Sequence, residues 1–79
     1  MSVEEIIGQV QEIFKDVLDE DDIELQSVTN ADDIDEWDSL NHIQLVVAIE
    51  KHFKIKFSSI EIQSYVNVGE MCEGILNKL

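Results

Sequence analysis

The sequence of 79 residues has no arginine and no proline, and it contains only three glycines and one cysteine. Because proline and glycine interrupt regular structure, their scarcity favours helices over a turn-rich β fold. A single cysteine cannot form an internal disulfide, which fits a reducing compartment. A chain of this length predicts one domain, residues 1–79, with little room for both a stable core and a deep catalytic pocket.

Positive charge is also scarce. Five lysines stand against 18 acidic residues, which gives a formal net charge of −13. This charge repels the phosphates of nucleic acids and the anionic surface of membranes, so we expect partner proteins with basic surfaces. No apolar run approaches the roughly 20 residues of a membrane span, and the first residues are acidic where a secretory signal is basic. We therefore expect a soluble, cytoplasmic monomer without membrane insertion.

Apolar residues recur mainly at helical spacing, and capping residues precede three of these runs. The first helix is predicted to follow Ser2 and to end near Leu18. A short third helix is predicted after Ser58. The last helix is predicted after Asn67, with Cys72 on its apolar stripe. Together with a helix between the first and the third, these predict an all-α fold, a small four-helix bundle.

The connection between the first two helices, residues 19–38, reads DEDDIELQSVTNADDIDEWD and contains no lysine. Its apolar residues are predicted to anchor it to the core: Ile23, Leu25, Val28, Ile34 and Trp37. The acidic spacing does not match an EF-hand, because Trp37 stands where the third ligand is required. The acids either bind divalent ions weakly or form a solvated, self-repelling loop. Loops of this length are often functional, which directs attention to its end, at Ser39.

The second helix is predicted from about Ser39 to Phe53, and it has two opposed apolar faces. At about 100° per residue, one face contains Leu45, Val46, Ile49 and Phe53, with Ala48 at its margin. The other face contains Leu40, Ile43 and Val47. Because a 79-residue bundle can hardly bury a helix on all sides, we expect the second face to be kept for a partner.

Ser39 itself allows three interpretations. Taken alone, Asp38-Ser39 is most simply a helix N-cap. His42 lies three residues on and could serve a nucleophilic serine, but no glycine-flanked elbow or oxyanion arrangement accompanies it. We therefore expect His42 to be a hydrogen-bonded, partly buried histidine. A serine at a helix N-terminus can also carry a phosphate ester, because free amides and the helix dipole stabilise the anion.

The motif DSL, followed by LNHIQLVVAIEKHFKIKF and set in this order of helices, resembles the acyl carrier protein family over essentially the whole chain. The resemblance implies that Ser39 carries 4′-phosphopantetheine, attached by a separate phosphopantetheinyl transferase that uses coenzyme A and magnesium. It implies that Asp38 helps the transferase to recognise the serine. The resemblance implies a partner-docking face formed by Leu40, Ile43, Val47 and Glu50. It also implies a carrier with no catalytic residues and no metal site of its own.

The implied function is to hold acyl groups as thioesters and to deliver them to acyl-loading, condensing or acyl-transfer enzymes with basic docking surfaces. The chain departs from many carriers of fatty acid biosynthesis at several positions: Glu36, Trp37, Asn41, Gln44, Lys51 and His52. These departures favour a specialised lipid, polyketide-like or surface-glycan pathway. Two alternatives remain open: an aminoacyl or peptidyl carrier, and an unmodified acidic helical adaptor.

Overall fold

The computed structural model describes residues 2–34 and 37–79, and the side chains of Ala31 and Ser39 also lie outside the described part. The predicted lead-in residues Asp35 and Glu36 therefore fall outside it. The described residues form four α-helices and one 3₁₀ turn: α1 (Val3–Leu18), the turn (Ala31–Asp33), α2 (Ser39–Phe53), α3 (Ser59–Ser64) and α4 (Val68–Lys78). The predicted all-α bundle, with its long first connection and short third helix, is confirmed.

Each helix begins where a polar side chain accepts a hydrogen bond from the N–H group three residues further on. The four capping residues are Ser2, Asp38, Ser58 and Asn67. Such bonds satisfy N–H groups that have no acceptor within the helix. Ser58 and Glu61 also form the reciprocal bond of a capping box. This explains how a helix of only six residues has a defined start.

The helices α1 and α2 end in left-handed residues that are not glycine. Asp19 has φ of 54° and Lys54 has φ of 58°. Their N–H groups donate to the carbonyls of Lys15 and Glu50, which closes the last turn of each helix. Lysine in this conformation costs about 1 kcal/mol relative to glycine.

The core is formed where α1 packs against both α2 and α4. Seven of its side chains have no exposed surface: Ile6, Val10, Phe14, Ile49, Val68, Cys72 and Ile75. Leu45 and Val46 are also buried, as predicted for the core-facing side of α2. The predicted place of Cys72 on the apolar stripe of the last helix is likewise confirmed.

The long connection is tied to the start of α4 by its backbone. The N–H of Val68 donates to the carbonyl of Thr29, and the N–H of Gly69 donates to the carbonyl of Ser27, both at 2.8 Å. These are first-turn donors that have no acceptor in their own helix. A Cβ atom at position 69 would lie 2.7 Å from the Ser27 carbonyl oxygen, so this approach requires glycine.

The predicted anchoring of the connection by Val28 is wrong, because this side chain is 70% exposed. A hydrogen bond of 3.0 Å from the N–H of Thr29 to the carbonyl of Gln26 makes Ser27 and Val28 the central residues of a turn. The corner of the turn directs Val28 to solvent, and Thr29 is buried instead. The other predicted anchors do pack on the core: Ile23, Leu25, Ile34 and Trp37.

The short helix α3 has no fully buried residue, and an ion pair and a ring contact connect it and its flanking residues to the rest of the fold. The ammonium group of Lys78, at the end of α4, lies 2.8 Å from the Glu61 carboxylate. The hydrogen bond from Lys78 lowers the pKa of Glu61. Tyr65, which follows α3, packs edge-on against Phe57, with 5.9 Å between ring centroids.

Candidate functional site

The site begins at the N-terminus of α2, where Ser39 is the first helical residue. Asp38 precedes it in an extended conformation, and its carboxylate accepts the N–H of Asn41 at 2.8 Å. The Asp38 capping predicted from the dipeptide is thus observed, whereas the Ser39 side chain lies outside the described part. The backbone places position 39 in the first turn, where free N–H groups and the helix dipole favour an anion.

Trp37 fixes the approach to this turn. Its indole N–H donates to Nδ1 of His42 at 2.9 Å, and the two rings stack with 25° between their planes. On its other side, the indole packs edge-on against Phe14 of α1, at 4.9 Å between centroids. The residue before Asp38 is therefore held to both α1 and α2.

His42 is half-buried, and its burial lowers its pKa. Its Nδ1 atom must be unprotonated to accept the indole N–H. The expectation of a hydrogen-bonded, partly buried histidine is confirmed. One ring nitrogen is committed to Trp37, so the structural role of His42 accounts for its position without a catalytic one.

A groove of about 490 Å³ lies beside the start of α2. Its walls come from the end of the long connection, from α2, and from α3, α4 and the segment between them. They include Trp37, Asp38, His42, Tyr65, Val66 and Met71. No local pattern in the sequence indicates Tyr65 or Met71 in this role, because only tertiary packing brings the start of α4 next to the start of α2. The groove combines apolar walls with polar groups near Asp38, so it suits an amphipathic, flexible ligand.

Tyr65 is positioned in this groove by a glycine of α4. A Cβ atom at Gly74 would collide with the Tyr65 hydroxyl, so the ring can lie against α4 only because position 74 has no side chain. Burial raises the pKa of Tyr65, which keeps the phenol neutral.

The second apolar face of α2 is exposed. Leu40, Ile43 and Val47 have 67%, 63% and 42% of their surface accessible, whereas Ile49 on the opposite side has none. The predicted division of α2 into a buried and an exposed apolar face is therefore present. Exposed leucine and isoleucine in one stripe are unusual for a free surface and typical of a contact surface.

Glu50, expected on the docking face, has a structural contact. Its carboxylate accepts the N–H of Phe57 at 2.8 Å, and the side chain is half-buried. It therefore fixes the chain that leaves α2. A docking role for Glu50 stays a prediction.

Two further expectations concern metals and the thiol. In the described ranges, no group of three or more potential ligand residues could hold a metal ion. The Cys72 thiol is buried, and this raises its pKa to about 12. Such a thiol is neutral and unreactive near neutral pH. Within the same ranges, no helix is long and apolar enough to cross a lipid bilayer.

Comparison with known proteins identifies this arrangement. Residues 8–75 match the protein family described as a phosphopantetheine attachment site. An acyl carrier protein of Cyanidium caldarium is 43% identical over 42 residues, which cover 53% of this chain and 49% of that protein. The match thus spans about half the length of that relative. The solution NMR structure of a holo acyl carrier protein from Geobacter metallireducens is 42% identical, has a TM-score of 0.87, and aligns with 92% of this chain and 84% of that one.

These similarities, which extend over most of the chain, show that it belongs to the phosphopantetheine-attachment family. Within that family it is a member of the acyl carrier proteins, as the resemblance of the DSL region implied. Its cofactor is a covalently attached 4′-phosphopantetheine, and the chain is a carrier rather than an enzyme. The residues fit this group, because a helix N-terminus can stabilise the phosphate and the adjoining groove suits an amphipathic arm.

Proposed function

We propose that Ser39 bears the 4′-phosphopantetheine group and that the chain holds acyl or related groups for delivery to the enzymes of one pathway. When bound, this group supplies a flexible arm with a terminal thiol that can hold an acyl group as a thioester. The observation that carries the proposal is the location of Ser39. It is the first residue of α2, beside both the exposed apolar stripe and the groove.

Different residues of the chain serve attachment and docking. Asp38 is exposed next to the serine, where a transferase can contact it. Leu40 is in the first turn of α2, and Ile43 and Val47 continue the same stripe. A partner that covers this stripe therefore also covers the attachment point. Tethering then raises the effective concentration of the carried group at the docked enzyme.

We assign this carrier to a specialised lipid, polyketide-like or surface-glycan pathway of the cytoplasm. The support is the chemistry of α2, where Asn41 and Gln44 are neutral and Lys51 and His52 are basic. The large net negative charge still favours partners with basic surfaces near the attachment point, where the acidic connection ends. These include the phosphopantetheinyl transferase and the enzymes that load, condense or transfer acyl groups.

The test is incubation of the purified chain with coenzyme A, magnesium and a broad-specificity phosphopantetheinyl transferase, followed by intact-mass and peptide mass spectrometry. One phosphopantetheine should be added, on the peptide that contains Ser39. Ser39→Ala should abolish the addition and keep the helical circular dichroism spectrum. Ser59→Ala is the matched control, because Ser59 is likewise the first residue of a helix after its cap.

Addition to the Ser39→Ala variant, or no addition to the wild-type chain, would contradict the assignment of Ser39. A chain that stays unmodified but still binds partner proteins would favour the adaptor alternative. Loading of the modified chain by an adenylating enzyme specific for an amino acid would favour the aminoacyl carrier alternative.

A further inference from the structure

Three of the five lysines of this acidic chain lie together at the end of α2. They are Lys51, Lys54 and Lys56, and all three side chains are exposed. Together with Val47, Glu50 and Ile55 they line a depression of about 380 Å³. We call these three lysines the lysine patch.

The lysine patch continues the exposed apolar stripe. Residues three and four positions apart lie on the same side of a helix, so the line from Ile43 to Val47 leads directly to Lys51 and Lys54. Val47 belongs to both features, because it is exposed in the stripe and also lines the depression. The stripe and the patch therefore form one continuous surface.

The chain itself leaves this positive charge unneutralised. In the described part, the two ion pairs join Lys15 to Glu12 and Lys78 to Glu61, and neither involves the patch. The nearby carboxylate of Glu50 is directed to the N–H of Phe57. The helix dipole explains one lysine in the last turn of α2, but Lys56 lies beyond the helix, where the dipole gives no such benefit.

We infer that the lysine patch binds carboxylates on a partner enzyme, beside an apolar pocket of that enzyme which receives Ile43 and Val47. With a rise of 1.5 Å per residue, those carboxylates lie about 6 to 11 Å from the part of the pocket that receives Val47. The chain thus presents a negative end near Ser39 and a positive end at the patch. A partner with the opposite arrangement binds in one orientation, with its active site facing the attachment point.

Other occupants fit less well. A nucleic acid or an anionic membrane would meet three lysines on a chain whose formal charge is −13, and long-range repulsion opposes both. A second copy of the chain carries the same net charge and is repelled for the same reason. A protein surface with carboxylates confined to one end matches both the stripe and the patch.

This inference rests on the proposed function, so its test measures docking and attachment separately. The probe is a synthetic helical peptide with leucines on one face and glutamates at one end, compared with the same peptide carrying lysines in place of the glutamates. Each peptide is titrated into the ¹⁵N-labelled full chain at physiological salt. The glutamate peptide should shift amide signals from Ile43 to Lys56, and the lysine peptide should not.

The decisive variant is Lys51→Gln with Lys56→Gln, which keeps Lys54 because of its left-handed backbone. Its matched control is Gln63→Glu with Asn77→Glu, which changes the net charge equally at exposed positions elsewhere. The Lys51→Gln/Lys56→Gln variant should bind the glutamate peptide about three- to tenfold more weakly than the wild-type chain, as expected for the loss of two exposed charge pairs. The control should change its affinity less than twofold.

Equal weakening in both variants, or no binding of the glutamate peptide, would overturn the inference. Shifts of the patch signals with protein concentration alone, or with phosphatidylglycerol vesicles, would overturn it in favour of a second copy or a membrane. Phosphopantetheine addition is measured on the same proteins. If the wild-type chain is modified normally but does not bind the glutamate peptide, only the patch is refuted. If the wild-type chain binds the peptide but is not modified, only the carrier assignment is refuted.

Discussion

The two faces of α2 make a paired prediction, in which Ile49→Ala and Ile43→Ala are compared. The two substitutions delete the same atoms from the same helix. Ile49 has no exposed surface and belongs to the core cluster, whereas Ile43 is 63% exposed. Ile49→Ala should therefore leave a cavity and cost about 2 to 5 kcal/mol. A domain of this length has a total free energy of unfolding of about 4 to 12 kcal/mol, so much of the fold is at risk.

Ile43→Ala should change the free energy of unfolding by only about 0.5 kcal/mol, because the side chain is already largely in water. Its effect should appear in docking, since a central apolar side chain can dominate a protein interface. Urea denaturation followed by circular dichroism measures the first effect. The rate of phosphopantetheine addition measures the second, with the wild-type chain as reference.

Two results would refute this reasoning. If Ile43→Ala unfolds as readily as Ile49→Ala, then α2 is buried on both sides in solution. If Ile43→Ala is stable and is also modified at the wild-type rate, the exposed stripe has no role in the encounter with the transferase.

Three further predictions concern other parts of the fold. Gly69→Ala should lower the free energy of unfolding by about 1 to 3 kcal/mol, because the Cβ atom would lie 2.7 Å from a carbonyl oxygen of the long connection. Gly8→Ala is the control: no atom lies near its Cβ, so thermal melting should show a neutral or stabilising effect. Burial lowers the pKa of His42, so the folded chain favours the neutral imidazole. The contribution of His42 to the free energy of unfolding is therefore complete above its unfolded pKa of about 6.5, and it is lost as the pH falls through its lower folded pKa. Denaturation between pH 7.5 and 5.5, followed by the fluorescence of the single tryptophan, Trp37, should show the loss, and a His42→Gln variant with the same pH dependence would contradict this. Cys72, with its pKa raised to about 12, should react with iodoacetamide only on unfolding, and labelling of the native chain at the rate of a free thiol would contradict its burial.

The helices could be predicted from the sequence because their signals are local. Caps such as Ser2 and Asn67 act within one turn, and the 3.6-residue period shows which side of α2 is buried. The predicted bounds of α2, from Ser39 to Phe53, agree with the observed ones for this reason. The resemblance of DSL to a known family then indicated Ser39 as the residue proposed for attachment.

The connection and the groove could be predicted less well because they depend on contacts distant in sequence. Val28 is apolar, but a turn that ties the connection to α4 places it in water. The bond between Trp37 and His42 joins two residues whose types gave no indication of pairing. The contact of Tyr65 with Gly74 forms only when α3 and α4 are packed.

The most direct test of the carrier role is the state of Ser39 in protein isolated from its own cells at a pH that preserves thioesters. Tandem mass spectrometry of the peptide containing Ser39 should show phosphopantetheine, and a fraction of it should bear an additional acyl group that hydroxylamine removes. The mass of that group would also identify the cargo. An unmodified Ser39 throughout the isolated protein would contradict the account. So would an additional group on the phosphopantetheine that resists hydroxylamine in every molecule.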